Sequence, residues 1–122
     1  MKGKLTCGHN DVKFNEKFNT DLQIISYRYQ KRFGEEMEIL SGVRCPECSE
    51  KVGGKKNDEH TTGNAVDILT INTPGGVESQ KKFFLMIHFI GFGCCRFGDN
   101  NGALHVGYDH NLPQDVLWNY YK

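Results

Sequence analysis

The sequence predicts an α+β domain, a small and mainly antiparallel sheet with helices packed on it. Three observations carry that prediction: stretches with apolar residues at helical spacing, a β-branched alternating run between them, and two short apolar runs joined by turn formers. In chain order they read helix, strand, helix, hairpin, which suits helices laid against one sheet.

The first helix is expected over residues 15–34, where Phe18, Leu22, Ile25, Tyr29 and Phe33 recur at intervals of four, three, four and four. That is the stripe of an amphipathic helix, and Gly34 supplies its stop. Met37-Glu38-Ile39-Leu40 then forms a short strand running into Ser41-Gly42. Residues 45–57, rich in Gly, Lys and Glu without a period, read as a surface loop. Ala65 to Ile71 alternates with β-branched residues as a strand does, and Asn72-Thr73-Pro74-Gly75-Gly76 breaks it. A second helix follows from about Glu78 to Ile90 and ends at Gly91 and Gly93. Residues 92–97 and 104–108 flank Gly98-Asp99-Asn100-Asn101-Gly102, so a β-hairpin with its turn in that cluster is expected. Leu112 to Tyr121 packs back as a short extended or helical tail, with Trp118, Tyr120 and Tyr121 as packing aromatics.

The 122 residues have room for one domain, 1–122, and no second. Fifteen Lys and Arg balance fifteen Asp and Glu, which removes the electrostatic footprint of a nucleic-acid binder. The most apolar stretch, residues 83–90, is too short to span a bilayer and carries His88. No nucleic-acid and no membrane partner is therefore expected, and a monomer is expected alongside, though no residue pattern here decides the oligomeric state. The opening MKGKLTCGHNDVKFNEKF lacks the apolar run of a signal peptide, so synthesis in the cytoplasm is expected. Five cysteines are an odd number and read as reduced, inert thiols. Cys45 and Cys48 have metal-knuckle spacing, but only Cys7 and His9 offer the other half of a closed site.

The chemistry concentrates in Asp58-Glu59-His60-Thr61-Thr62-Gly63-Asn64-Ala65-Val66-Asp67. His60 and Asp67 lie seven residues apart across Gly63 and Ala65, small residues that let the chain turn tightly into the following strand. An imidazole from the loop and a carboxylate from the strand can then meet at one point, and zinc accepts both at about 2.0–2.2 Å. His105, on the second arm of the hairpin, supplies a third ligand for one zinc ion. Two histidines and one acid leave a fourth position open, which separates catalytic from structural zinc. Taken alone, a His and an Asp at this spacing are more often solvated loop residues.

The surrounding text reverses that reading. Ser41-Gly42-Val43-Arg44-Cys45-Pro46, then Val52-Gly53-Gly54, then His60 to Ile68, then His105-Val106, closely resembles the zinc peptidases of the D-alanyl-D-alanine carboxypeptidase type. That group includes phage endolysins, murein endopeptidases and vancomycin-resistance dipeptidases, and the hedgehog signalling domain shares its fold. The resemblance runs from about Gly34 to Trp118 and is most specific for S-G-x-R and H-x-x-G-x-A-x-D in that order. It implies a hedgehog/D,D-peptidase-like fold, with His60, Asp67 and His105 holding zinc. It also implies hydrolysis of peptidoglycan stem peptides, as a D-Ala-D-Ala carboxypeptidase or an endolysin-type endopeptidase acting on the cell wall as a phage-type lysin or virion component. Arg44 matches the family's arginine near the substrate, suited to hold a terminal carboxylate or a developing oxyanion.

Two departures stand out. Asp58 occupies a position where the family usually has serine, and either side chain can cap the loop. Where many relatives read His-x-Asp, this chain reads His105-Val106-Gly107, so the general base has no side chain at its usual place. Asp109 is the preferred substitute, because strand alternation puts residues 103, 105, 107 and 109 on one side. Asp99, in the expected turn six residues before His105, is the second candidate and Glu59 the third. Gly107 also favours the alternative function, a catalytically weak or inactive zinc-stabilised module such as one in a phage tail. His88 reads as a core or boundary residue, and His9 and His110 as solvent-facing.

Overall fold

The computed structural model describes residues 1–7, 14–43, 48, 60, 63–71, 74–94, 96–100, 102–109 and 111–119. Helix α1 (Glu16–Phe33) starts where Asn15 Oδ1 accepts the Phe18 N–H at 3.1 Å. It stops at Gly34, whose φ of 70° is open to glycine and whose N–H donates to Gln30 O. Its stripe of Phe18, Leu22, Ile25, Tyr29 and Phe33 is buried as the spacing predicts. Strands β1 (Ile39–Ser41) and β2 (Ala65–Leu69) follow, then helix α2 (Glu78–Gly91), strands β3 (Arg96–Asn100) and β4 (Ala103–Gly107), and finally β5 (Val116–Asn119).

The sheet has the order β1-β2-β4-β3-β5, antiparallel except for the β3–β5 edge. Val66 and Ile68 of β2, Phe97 of β3, and Leu104 and Val106 of β4 point at the helices. They close one core with α1 and with Leu85 and Phe89 of α2. The intervening residues, Asp67 and His105 among them, face the other side. Tyr108 pins the end of β4 to α1: its ring stacks on Phe18 at 4.6 Å and its hydroxyl donates to Asp21 at 2.5 Å. No helix among the described residues is long and apolar enough to cross a membrane.

Of the two forms expected for the C-terminal segment the extended one is found, and it moves the hairpin turn away from the sequence reading: β5 lies parallel on the outer edge of β3. Residues Arg96 to Asp99 therefore have ladder partners on both sides, and the turn formers Gly98, Asp99 and Asn100 are drawn into β3. β3 therefore runs on to Asn100, and Gly102, with φ 83°, leads directly into β4. The loop expected over 45–57 lies, except for Cys48, outside the described residues.

Candidate metal centre

Asp67 and His105 are direct cross-strand partners in the β2–β4 ladder, so both side chains rise from the same face. His105 Nδ1 lies 2.9 Å from Asp67 Oδ1. His60 comes from the segment before β2, where Gly63 takes φ 85° and its carbonyl accepts the Asn15 N–H at the start of α1. This turn carries His60 Nε2 to 3.3 Å from Asp67 Oδ2. The two imidazole rings stand 5.0 Å apart, edge to face. Both histidines are nearly buried, while Asp67 keeps 27 % of its side chain accessible.

A backbone contact fixes the tautomer of the neutral His60 ring. Its Nδ1–H donates to the Gly42 carbonyl at 2.9 Å, so the lone pair of the neutral ring sits on Nε2. That lone pair faces a carboxylate oxygen, acceptor against acceptor, and only a proton or a cation between them makes the contact favourable. Burial alone would push the Asp67 carboxyl up, but where protons fill these contacts the hydrogen bonds and charge of the His105 and His60 imidazoliums override it and hold it well below the usual carboxylate range.

The donor set suits zinc. One atom from each of His60, Asp67 and His105 lies within 4.8 Å of the other two, the cluster among the described residues that could hold a metal. The two closest nitrogen–oxygen separations, 2.9 and 3.3 Å, are near the roughly 3.4 Å edge of a zinc tetrahedron. Gly42 O behind His60 is the outer partner that fixes a ligating imidazole.

The placement of Gly42 accounts for its part of the Ser-Gly element. A Cβ built there would lie 2.2 Å from Leu5 O, so only glycine lets this strand approach Leu5 and present its carbonyl to His60. Ser41 pairs with Asp67 across β1–β2. Arg44, Glu59, Cys45, His9 and His110 lie outside the described residues. His88 is half-buried on α2, with Nδ1–H donating to Phe84 O.

The fold gives the two candidate acids different surroundings. Asp99 pairs with Leu104 and therefore points to the helix face, opposite to His105, where Lys82 Nζ donates to its Oδ1 at 2.5 Å. It does not reach the metal position from the partner strand, because its inclusion in β3 fixes its face by alternation. The strand expected to carry Asp109 ends at Gly107. Asp109 instead caps the next turn, its Oδ1 accepting the Asn111 N–H at 2.9 Å. Gly107 faces Ala65 on one side and Arg96 on the other, so none of these three positions supplies an acid in addition to Asp67.

One site residue escaped the sequence reading. Trp118 lies with its ring 5.3 Å from that of His105, where the sequence predicts terminal aromatic packing. No spacing signal connects residues 105 and 118; the contact exists only because β5 joins the sheet.

A model of the Peptidase M15 family matches residues 3–106, a span that contains His60, Asp67 and His105 and ends before β5. No curated protein and no solved structure matches the chain.

Proposed function

The chain belongs to the Peptidase M15 family of zinc peptidases, and from that premise we propose that it hydrolyses peptidoglycan stem peptides, at a bond involving a D-amino acid. The observation that carries the reading is the convergence of His60 Nε2 and His105 Nδ1 on one carboxylate, with the Nδ1 proton of His60 already committed to Gly42. A carboxylate flanked by two imidazole nitrogens favours a divalent cation, held by His60, Asp67 and His105. When bound, zinc supplies Lewis acidity that polarises a peptide carbonyl and acidifies water.

The chain's own residues supply the remaining functions. Arg44 holds the substrate's terminal carboxylate or the developing oxyanion, for which a guanidinium fork is suited. With Asp99 turned to the helices, Asp109 is the carboxylate we assign to carry the proton from water to the leaving amine. It is half-buried, two residues past Gly107. Trimming of a terminal D-alanine and internal cleavage of the stem peptide both fit this chemistry, in a phage-type lysin or a virion component acting as a monomer.

A zymogram on purified cell walls, with and without chelator, tests the activity. Clearing that needs zinc is expected; no clearing on several wall chemotypes would remove the peptidase reading. Zinc content tests the site separately, since His60→Ala and Asp67→Asn should each abolish stoichiometric metal. Gly107 supports a second reading, a zinc-stabilised binding or structural module: that reading predicts full zinc content with no clearing.

A further inference from the structure

On the face away from the helices, one register row crosses all five strands: Ser41, Asp67, His105, Gly98 and Trp118. The backbones of His105 and Trp118 are two strand spacings apart, about 9.6 Å. Their ring centroids are nevertheless only 5.3 Å apart, tilted by 54°. The residue between them is Gly98, which has no side chain, and the indole leans across it onto the imidazole. Against the same indole lies the Arg96 guanidinium, 5.4 Å from the ring. Arg96 is itself tethered by donating to Pro113 O at 2.6 Å. Both supports depend on β5 and the segment leading into it, which the family match at residues 3–106 does not include.

We infer that Trp118 is a positioning residue of the metal centre. An imidazole turns about a broad, soft torsion, a freedom that contacts against its ring must close for the ligating nitrogen to hold its aim. The indole closes that freedom from the side, keeping His105 Nδ1 aimed at Asp67, and so raises the metal affinity of the site. The inference rests on the metal-centre reading above and extends the site to a strand outside the family match.

Trp118 is the single tryptophan of the chain, so tryptophan emission reports on this position alone. The experiment titrates the full chain with Co²⁺, following the visible cobalt band and tryptophan emission together. The band should grow to one equivalent with parallel quenching of emission, and His60→Ala should lose both signals. Chelator competition should show Trp118→Ala weakening Co²⁺ and Zn²⁺ binding about tenfold, the low end for loss of an outer-shell support, with Trp118→Phe restoring most of it. Gly98→Val, which wedges a side chain between the two rings, should reproduce the loss with the indole still present.

A cobalt band that saturates without change in emission would overturn the inference, as would a folded Trp118→Ala protein that binds metal like the wild type. The first of these requires no variant to fold. Absence of any cobalt band would instead overturn the metal centre itself, and this inference with it.

Discussion

Replacing Gly42 by alanine tests how the sheet aims His60. A Cβ there would stand 2.2 Å from the Leu5 carbonyl oxygen, 2.5 Å from its carbon and 2.8 Å from Cα, all backbone atoms that cannot rotate away. Ordinary carbon contacts need about 3.5 Å, so the two segments must part by roughly 1 Å. They are held together by Val43 N–H donating to Leu5 O at 2.7 Å and Cys7 N–H donating to Val43 O at 3.0 Å. Overpacking of this kind costs about 1–3 kcal/mol, or about 3–12 °C in Tm for a domain of this size. The same displacement draws the Gly42 carbonyl away from His60 Nδ1, now at 2.9 Å. Loss of such an outer partner lowers metal affinity about 10- to 100-fold. Thermal melts of the metal-free protein and chelator competition for zinc read the two effects separately. Gly91→Ala is the control: nothing lies within 4 Å of a Cβ at that helical position, and alanine there should stabilise by up to about 1 kcal/mol. A Gly42→Ala protein that melts with the wild type and holds zinc as tightly would refute the assigned role.

Two further predictions concern the far side of the fold. Lys81 is fully buried and pairs with Glu35, which also accepts the Tyr29 hydroxyl at 3.4 Å. Lys81→Met strands a largely buried carboxylate and should cost about 3–5 kcal/mol in urea denaturation, with Glu35→Gln in the same chain recovering most of it; a neutral single variant would contradict the pair. Burial pushes the Tyr29 phenol well above its ordinary 10.0, and the charge and hydrogen bond of Glu35 act in the same direction. A folded-state value above the unfolded one contributes stability in full below pH 10 that is lost as pH rises beyond it. Denaturation midpoints should therefore fall from about pH 10 upward, and Tyr29→Phe should flatten that fall.

The parts legible in the sequence are those decided within a few residues of chain. Asn15 and Gly34 bound α1 because a cap and a left-handed stop act locally. The buried stripe follows from helical periodicity, and β2 from its alternation, although β2 ends at Leu69 and not at Ile71. The hairpin is legible as a pair of strands, but the turn formers point to a reversal over 98–102 that β3 overrides. Turn-forming residues express that preference only where the chain lacks better partners, and β5 provides those partners to Gly98 and Asp99. The error propagates to chemistry. An acid in a turn can face either way, whereas Asp99 in β3 is committed to the face opposite His105.

By itself the sequence determined the kinds of donor atoms, the small residues that let His60 turn toward Asp67, and the resemblance that identifies them as a set. Tertiary structure decided which groups share a face: His105 opposite Asp67 by register, Gly42 O behind His60 through close approach to Leu5, and Trp118 over Gly98 by strand addition. The physical reason is that a donor's chemistry is carried by its own side chain, while its direction is set by ladder pairings tens of residues away. A one-residue shift in any of them turns the side chain to the other face of the sheet.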